Sequence, residues 1–294
     1  MRGAVIRALS TPPELAELDD VDGIRIEAVA LNPLDVSVGR GLFYGGHPQL
    51  PYVPGCEAVG RTGEGRLVYL FGEGRGITRD GFLAERVVVP AQLRVELPDG
   101  ADPGLAAAAG IAGVAGWVPV AWRAKVGPGD RVLVLGARGA VGQIAVQAAK
   151  LLGADTVVGA GRSAAPGIIA LDDVADAFGE EGFTVCIDPI WGEPLARVLA
   201  VAARHARIVH IGQSAGPEAP LRSADVRGKE LTILGHSNFA MTAEDRNRAY
   251  LELLDHLVAG RIVVELQRFP LGAVAEAWER QGTGPGGKVV VDLS

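Results

Sequence analysis

The chain has 294 residues, of which 48% are hydrophobic and 21% charged, and its formal net charge is −7. That length suits one large or two ordinary domains with a real core, and the composition excludes a disordered chain. The acidic balance argues against nucleic acid or an anionic membrane as the main partner, because binding phosphate needs a basic face.

No uncharged apolar run long enough to span a bilayer is read in the chain, so no membrane partner is expected. The opening "MRGAVIRALSTPPEL" reads as a first strand and turn rather than a signal peptide. Two cysteines, Cys56 and Cys186, are too few for a disulfide framework or a four-cysteine zinc site and suit a reducing cytoplasm. "GIRIEAVAL", "RLVYLFG" and "FLAERVVVP" cluster or alternate apolar residues between Gly and Pro, which predicts an all-β region. "DPGLAAAAGIAGVAGWVPVAW" is Ala-rich and mostly helical. Strand and helix then alternate: a strand at 132–136, a helix at 141–152, and strands in "TVVGAG", "GIIAL", "FTVCIDPI", "ARIVHIG" and "ELTILGHS". Such alternation predicts an α/β fold with a parallel sheet covered on both faces. "DRNRAYLELLDHLVAGRI" is an amphipathic helix ending at Gly260, and the tail supplies a helix and a strand, "GGKVVVDLS", that return to the first domain. The expected division is 1–108 with 268–294, and 109–267.

The densest signal is "VLVLGARGAVGQIAVQAAKLLGA". A strand, a glycine turn and a helix N-terminus together favour a phosphate, through free backbone N–H groups and the helix dipole. The turn residues Gly136, Ala137, Arg138, Gly139, Ala140, Val141 and Gly142 are the candidate dinucleotide site, Gly139 allowing close approach of the pyrophosphate and Gly142 tight helix–strand contact. About twenty residues on, a site that prefers NAD carries an acidic residue for the ribose hydroxyl. Here stand Gly161, Arg162 and Ser163. A guanidinium suits a 2′-phosphate, which a carboxylate would repel, so NADP(H) is the expected cofactor. Gly212, Gln213 and Ser214 follow the fifth strand, at the sheet edge where ligands of such folds lie.

In family order along the chain, "ALNPLDVSVGRG", "LPYVPGCEAVG", "DGFLAERVVVP", the glycine segment, "CIDPIWGEPL", "ARIVHIGQSAG" and "GGKVVVDL" resemble the medium-chain dehydrogenase/reductase superfamily, in its zinc-free quinone oxidoreductase branch. The resemblance implies a Rossmann doubly wound parallel sheet plus a GroES-like β-rich domain, and a homodimer joined through "ELTILGHS". At the positions matching the catalytic zinc ligands of zinc alcohol dehydrogenases stand Asn32, Cys56 and an apolar place near Ile111, so no metal is expected.

The implied activity is NADPH-dependent hydride transfer to a small-molecule substrate, a quinone or another activated carbonyl or alkene compound. The alternative is an NADP(H)-binding sensor or structural protein with little turnover. Without zinc, neutral donors must stabilise developing charge. Asn32 is the first candidate, unless it serves only the turn before Pro33; Tyr44 and Tyr52 either donate a phenol proton or simply line the domain. The chain is shorter than the family pattern after Arg162. Pro166 and Gly167 oppose a helix interior, so no helix is expected between the second and third strands of the parallel sheet.

Overall fold

The computed structural model describes residues 1–284 and 286–293; Pro285 and Ser294, within the expected 268–294 segment, lie outside the described residues. Its strands are β1 (Arg2–Val5), β2 (Glu14–Glu17), β3 (Ile24–Ala30), β4 (Glu57–Arg61), β5 (Leu67–Phe71), β6 (Arg86–Val87), β7 (Arg94–Glu96), β8 (Arg131–Leu135), β9 (Thr156–Gly161), β10 (Ile168–Ala170), β11 (Phe183–Asp188), β12 (Ala202–His210), β13 (Thr232–Gly235), β14 (Leu266–Pro270) and β15 (Lys288–Asp292). Its helices are α1 (Pro33–Gly39), α2 (Pro103–Ala108), α3 (Val114–Val118), α4 (Ala140–Leu151), α5 (Val174–Phe178), α6 (Gly192–Val198), α7 (Ser223–Gly228), α8 (Ala243–Val258) and α9 (Val274–Gly282). Two compact units form, Met1–Ile111 with Val264–Ser294 and Ala112–Val263.

The first unit holds a mixed sheet in the order β14-β15-β3-β4-β5-β7, with β6 also pairing β3, and the hairpin β1-β2. The C-terminal strand β15 inserts beside β3 in antiparallel register, Val290 opposite Ala30. Its core gathers Ile6, Ile26, Leu31, Leu70, Phe82 and Val291, all nearly inaccessible to solvent.

The second unit is a parallel sheet in the order β10-β9-β8-β11-β12-β13. The order reverses at β8, placing a crevice between the carboxyl ends of β8 and β11. The central strands are continuous apolar runs because both faces are covered. α4 lays Ile144, Ala145, Ala148 and Ala149 inward on one side. Leu133, Leu135, Cys186 and Ile208 meet Phe178, Leu195 and Val198 from α5 and α6 on the other. β12 begins earlier than its apolar run suggests, because Ala202 is drawn into pairing with Phe183 ahead of a register shift. Thr242 caps α8, its hydroxyl accepting from the backbone N–H of Asp245 at 3.1 Å.

No helix lies between β9 and β10. A parallel crossover normally needs a dozen or more residues. Here residues 162–167 suffice because Ile168 pairs beside Gly159, so the chain backs up only a short way along β9. One expectation fails. The helical stretch Pro103–Ala124 is, by length and composition, long and apolar enough to cross a membrane. Yet 78% of its apolar window is buried inside the protein, as in a core helix, which removes the surface a bilayer would need.

Gly142 fixes how α4 meets β8: a Cβ there would stand 2.5 Å from the carbonyl oxygen of Gly136 and 2.6 Å from Cα of Ala137, both backbone atoms that cannot step aside. Gly142→Ala is expected to destabilise the fold by about 1–3 kcal/mol, as overpacking does. Gly63→Ala, where a Cβ meets nothing within 4 Å, should leave urea unfolding close to wild type.

Candidate active site

In the parallel-sheet unit the predicted turn residues come together at the carboxyl end of β8. Gly136 leaves the strand at φ 60°, a conformation that favours glycine. The Ala137 N–H donates to the Ala160 carbonyl of β9 at 3.1 Å. Gly139 stands at the N-cap of α4 in extended backbone, with only Gly136 O, at 3.6 Å, near the place of a Cβ. The first N–H groups of α4, at Ala140, Val141 and Gly142, have no intrahelical acceptor by construction. An open glycine, free N–H donors and the positive end of a helix form a fitting cradle for a pyrophosphate.

Arg138 leaves this turn and spans to the next loop, its guanidinium donating to the carbonyls of Ser163 (3.3 Å) and Ala164 (2.9 Å). Ala165 and Ile168 close the same loop by exchanging backbone hydrogen bonds at 2.8 and 2.9 Å. Arg138 therefore does locally what the missing crossover helix would otherwise do. Gly161 is buried at the end of β9, whereas Arg162 is exposed and has no hydrogen bond or ion pair among the described residues. The third predicted loop lies against the end of β11. A Cβ on Gly212 would be 2.6 Å from Pro189 O, and the Ala215 N–H donates to Ile190 O at 2.8 Å. Gln213 and Ser214 are exposed there. Ile190 in turn touches the glycine turn, its Cγ2 lying 2.9 Å from where Gly136 would carry a Cβ.

The β-rich unit contains a buried polar cluster that motif reading saw only in part. Asn32 is 1% exposed. Its amide nitrogen donates to Glu57 Oε1 (2.8 Å) and to the Ala30 carbonyl (3.1 Å), and its oxygen accepts from Lys288 Nζ. Glu57 Oε2 also accepts from Tyr69 OH (2.9 Å) and the Ile111 N–H (2.6 Å). Lys288 reaches Glu57 Oε1 at 3.5 Å and donates to Leu31 O at 2.9 Å. Asp35 accepts the Asn32 and Cys56 N–H groups, both at 2.8 Å, holding the start of α1 against the start of β4. Burial raises the carboxyl pKa values of Asp35 and Glu57 and lowers the ammonium of Lys288, because each charged form loses water. The Asn32 amide is thus spent inside the domain and presents no free hydrogen to a substrate. Tyr44 is 86% exposed and leans on Phe43 at 4.4 Å between ring centroids. Tyr52 is buried, its hydroxyl has no partner among the described residues, and burial together with the charge of Asp35 raises its pKa.

Comparison with known proteins follows this geometry. A profile described as zinc-binding dehydrogenase matches residues 152–291. The quinone oxidoreductase of Homo sapiens is 26% identical over 293 residues, covering 92% of this chain and 88% of that protein. The crystal structure of the quinone oxidoreductase from Thermus thermophilus, described also in complex with NADPH, superposes with TM-score 0.79 at 29% identity over 100% of both chains. A structure described as an NAD-dependent alcohol dehydrogenase superposes with TM-score 0.86 at 27% identity over 100% of both chains. Along nearly its whole length the chain is similar to the quinone oxidoreductase-like members of the medium-chain dehydrogenase/reductase superfamily. These matches support an oxidoreductase and span both the parallel-sheet and the β-rich unit.

The matching profile's description implies zinc, and the residues present do not fit one. Among the described residues no three His, Cys, Asp or Glu side chains gather as a metal site. Of the positions matched to zinc ligands, Asn32 is committed to its network and Ile111 offers only backbone. Cys56 is a buried thiol whose pKa is raised by burial and then by Asp35, against forming the thiolate a metal needs. A nicotinamide dinucleotide does fit: the turn 136–142 would hold its pyrophosphate and Arg162 its ribose end.

Lys288, invisible to motif reading, is the only cation that the ion pairs of the described residues place on Glu57. Lys288→Met should cost about 3–5 kcal/mol in urea unfolding, the penalty of leaving buried carboxyls uncompensated. Groups whose folded pKa is raised contribute stability at low pH and lose it as pH rises through that pKa. The deficit of Lys288→Met should therefore be largest near neutrality and shrink as pH falls through the carboxylate range.

Proposed function

We propose that the protein is an NADP(H)-dependent reductase that passes hydride to a quinone or another activated carbonyl or alkene compound, works without zinc and resides in the cytoplasm. The observation that carries this reading is the carboxyl edge of the parallel sheet, where an open glycine turn enters α4 and Arg162, without a partner among the described residues, stands at the end of β9. A permanently charged guanidinium can bond a 2′-phosphate bidentately, and buried Gly161 leaves no carboxylate there to repel it. The names of the relatives support the acceptor class, and the two buried cysteines, both free, support a reducing setting.

When bound, the reduced nicotinamide supplies the hydride. The chain's own residues hold and orient it: backbone N–H groups of 140–142 at the pyrophosphate, Arg162 at the ribose phosphate, and Gly212, Gln213 and Ser214 along the neighbouring strand end. Asn32 acts as a positioning residue through Glu57 and Lys288, Tyr52 from the buried interior, and Tyr44 as an exposed phenol able to meet a substrate.

A second reading, nicotinamide-nucleotide binding without turnover, is favoured by one observation, that the Asn32 amide is unavailable to substrate. The protein is also proposed to pair as a homodimer through β13, which among the described residues has no neighbour on its outer side and exposes 38% of Ile233. Light scattering should give twice the chain mass, and Ile233→Lys should shift it toward the monomer.

Fluorescence titration with NADPH and NADH tests the cofactor. Wild type should prefer NADPH, and Arg162→Ala should reduce that preference about ten- to a hundredfold, the worth of a charged hydrogen bond. Binding of neither nucleotide overturns the proposal. Tight NADPH binding with no consumption across a panel of quinones and enones selects the second reading.

A further inference from the structure

Two buried polar atoms at the carboxyl edge of the parallel sheet, Asp188 Oδ2 and His210 Nδ1, have no hydrogen-bond partner among the described residues. They face each other at 3.4 Å. The reason is topological. Asp188 and His210 are in-register neighbours on the parallel strands β11 and β12, so their side chains leave the sheet on the same face.

Asp188 is fully buried and its other oxygen is fixed, Oδ1 accepting from the N–H groups of Ile190 (3.0 Å) and Trp191 (2.8 Å). Trp191 sits at φ 57°, a left-handed conformation that a bulky side chain seldom adopts, and its ring lies 4.1 Å from the imidazole. Strain and unmet hydrogen bonds of this kind gather at functional sites. The His210 side chain is 28% exposed although Nδ1 is buried, so water reaches the edge that carries Nε2.

A buried carboxylate behind Nδ1, with Nε2 turned outward, is the arrangement that orients an imidazole for general acid–base work. Asp188 faces the ring from β11 and Trp191 covers a face; on the β13 side Gly235 lies opposite His210, its carbonyl accepting from the Arg123 guanidinium at 3.1 Å, and the next residue, His236, donates its backbone N–H to the His210 carbonyl at 2.9 Å. Through Ile190 the pair adjoins the glycine turn, on the sheet edge where ligands lie.

We propose that His210 is a proton-donating catalytic residue and that Asp188 positions it, a role that rests on the reductase reading above. Reducing a quinone takes a hydride and a proton. When bound, the reduced nicotinamide would supply the hydride with its electron pair and be left oxidised, and the quinone would become the hydroquinone monoanion. The Nε2–H bond of the His210 imidazolium then breaks, its electron pair stays on nitrogen, and the proton forms an O–H bond on the anionic oxygen. Solvent returns a proton to Nε2.

NADPH oxidation by 1,4-naphthoquinone, alongside NADPH binding by fluorescence, tests this. His210→Gln should lower kcat about 10²- to 10³-fold, in the range of general acid catalysis, with NADPH affinity unchanged. Added imidazole should restore part of the rate of His210→Ala. Asp188→Asn should lower kcat with NADPH affinity and the KM for the quinone little changed, because the ring keeps its place in the sheet but loses the carboxylate behind it. Wild-type kcat in His210→Gln, or a rate loss matched by an equal loss of NADPH affinity, overturns the assignment. So does failure of imidazole to rescue folded His210→Ala. A wild type that binds NADPH but reduces no quinone overturns the reductase reading and this inference with it; activity in wild type separates that failure from one at His210.

Discussion

The closeness of α4 to β8 is the constraint on which the parallel-sheet unit depends. With no side chain at Gly142, the first turn of the helix settles onto the backbone of Gly136 and Ala137. That seating aims the unpaired N–H groups of the helix at the end of the strand, and it places the turn against Ile190 of the next loop. The glycine turn, the crevice and the neighbouring loops all follow from a contact that a single methyl group would obstruct.

The β-rich unit is organised by the opposite means, a dense set of bonds around buried charge. Glu57 collects donors from Asn32, Tyr69, Ile111 and Lys288, residues far apart in sequence. Such a cluster ties β3, β4, β5 and β15 to one point. Replacing any one member leaves the others unmet, so the cluster is better suited to specifying geometry than to offering bonds to a ligand.

The parallel sheet was legible in the sequence because its signals are local. Apolar runs, glycine breaks and helical periodicity set β8, α4, β9 and β11 within a residue or so. The turn residues 136–142 were legible for the same reason. Asn32 was found, but its commitment was not, since Lys288 reaches it from the far end of the chain. Asp188 and His210 are separated by a whole helix and meet only because their strands pair in register. No spacing rule sees such a meeting, and register is what sequence patterns specify least well in a sheet buried on both faces. The buried helical stretch Pro103–Ala124 shows a related limit, for composition alone does not distinguish a protein interior from a bilayer.

The abbreviated crossover between β9 and β10 also bears on how the sheet assembles. A parallel pair ordinarily waits for an intervening helix to form and dock, a non-local event that slows folding. With Ile168 beside Gly159 and only residues 162–167 between the strands, this pairing becomes a short-range one, needing the closure of a small loop. One edge of the sheet can therefore zip up from its own neighbourhood in the chain, while the β8–β11 and β12–β13 pairings still wait for the chain between them to fold.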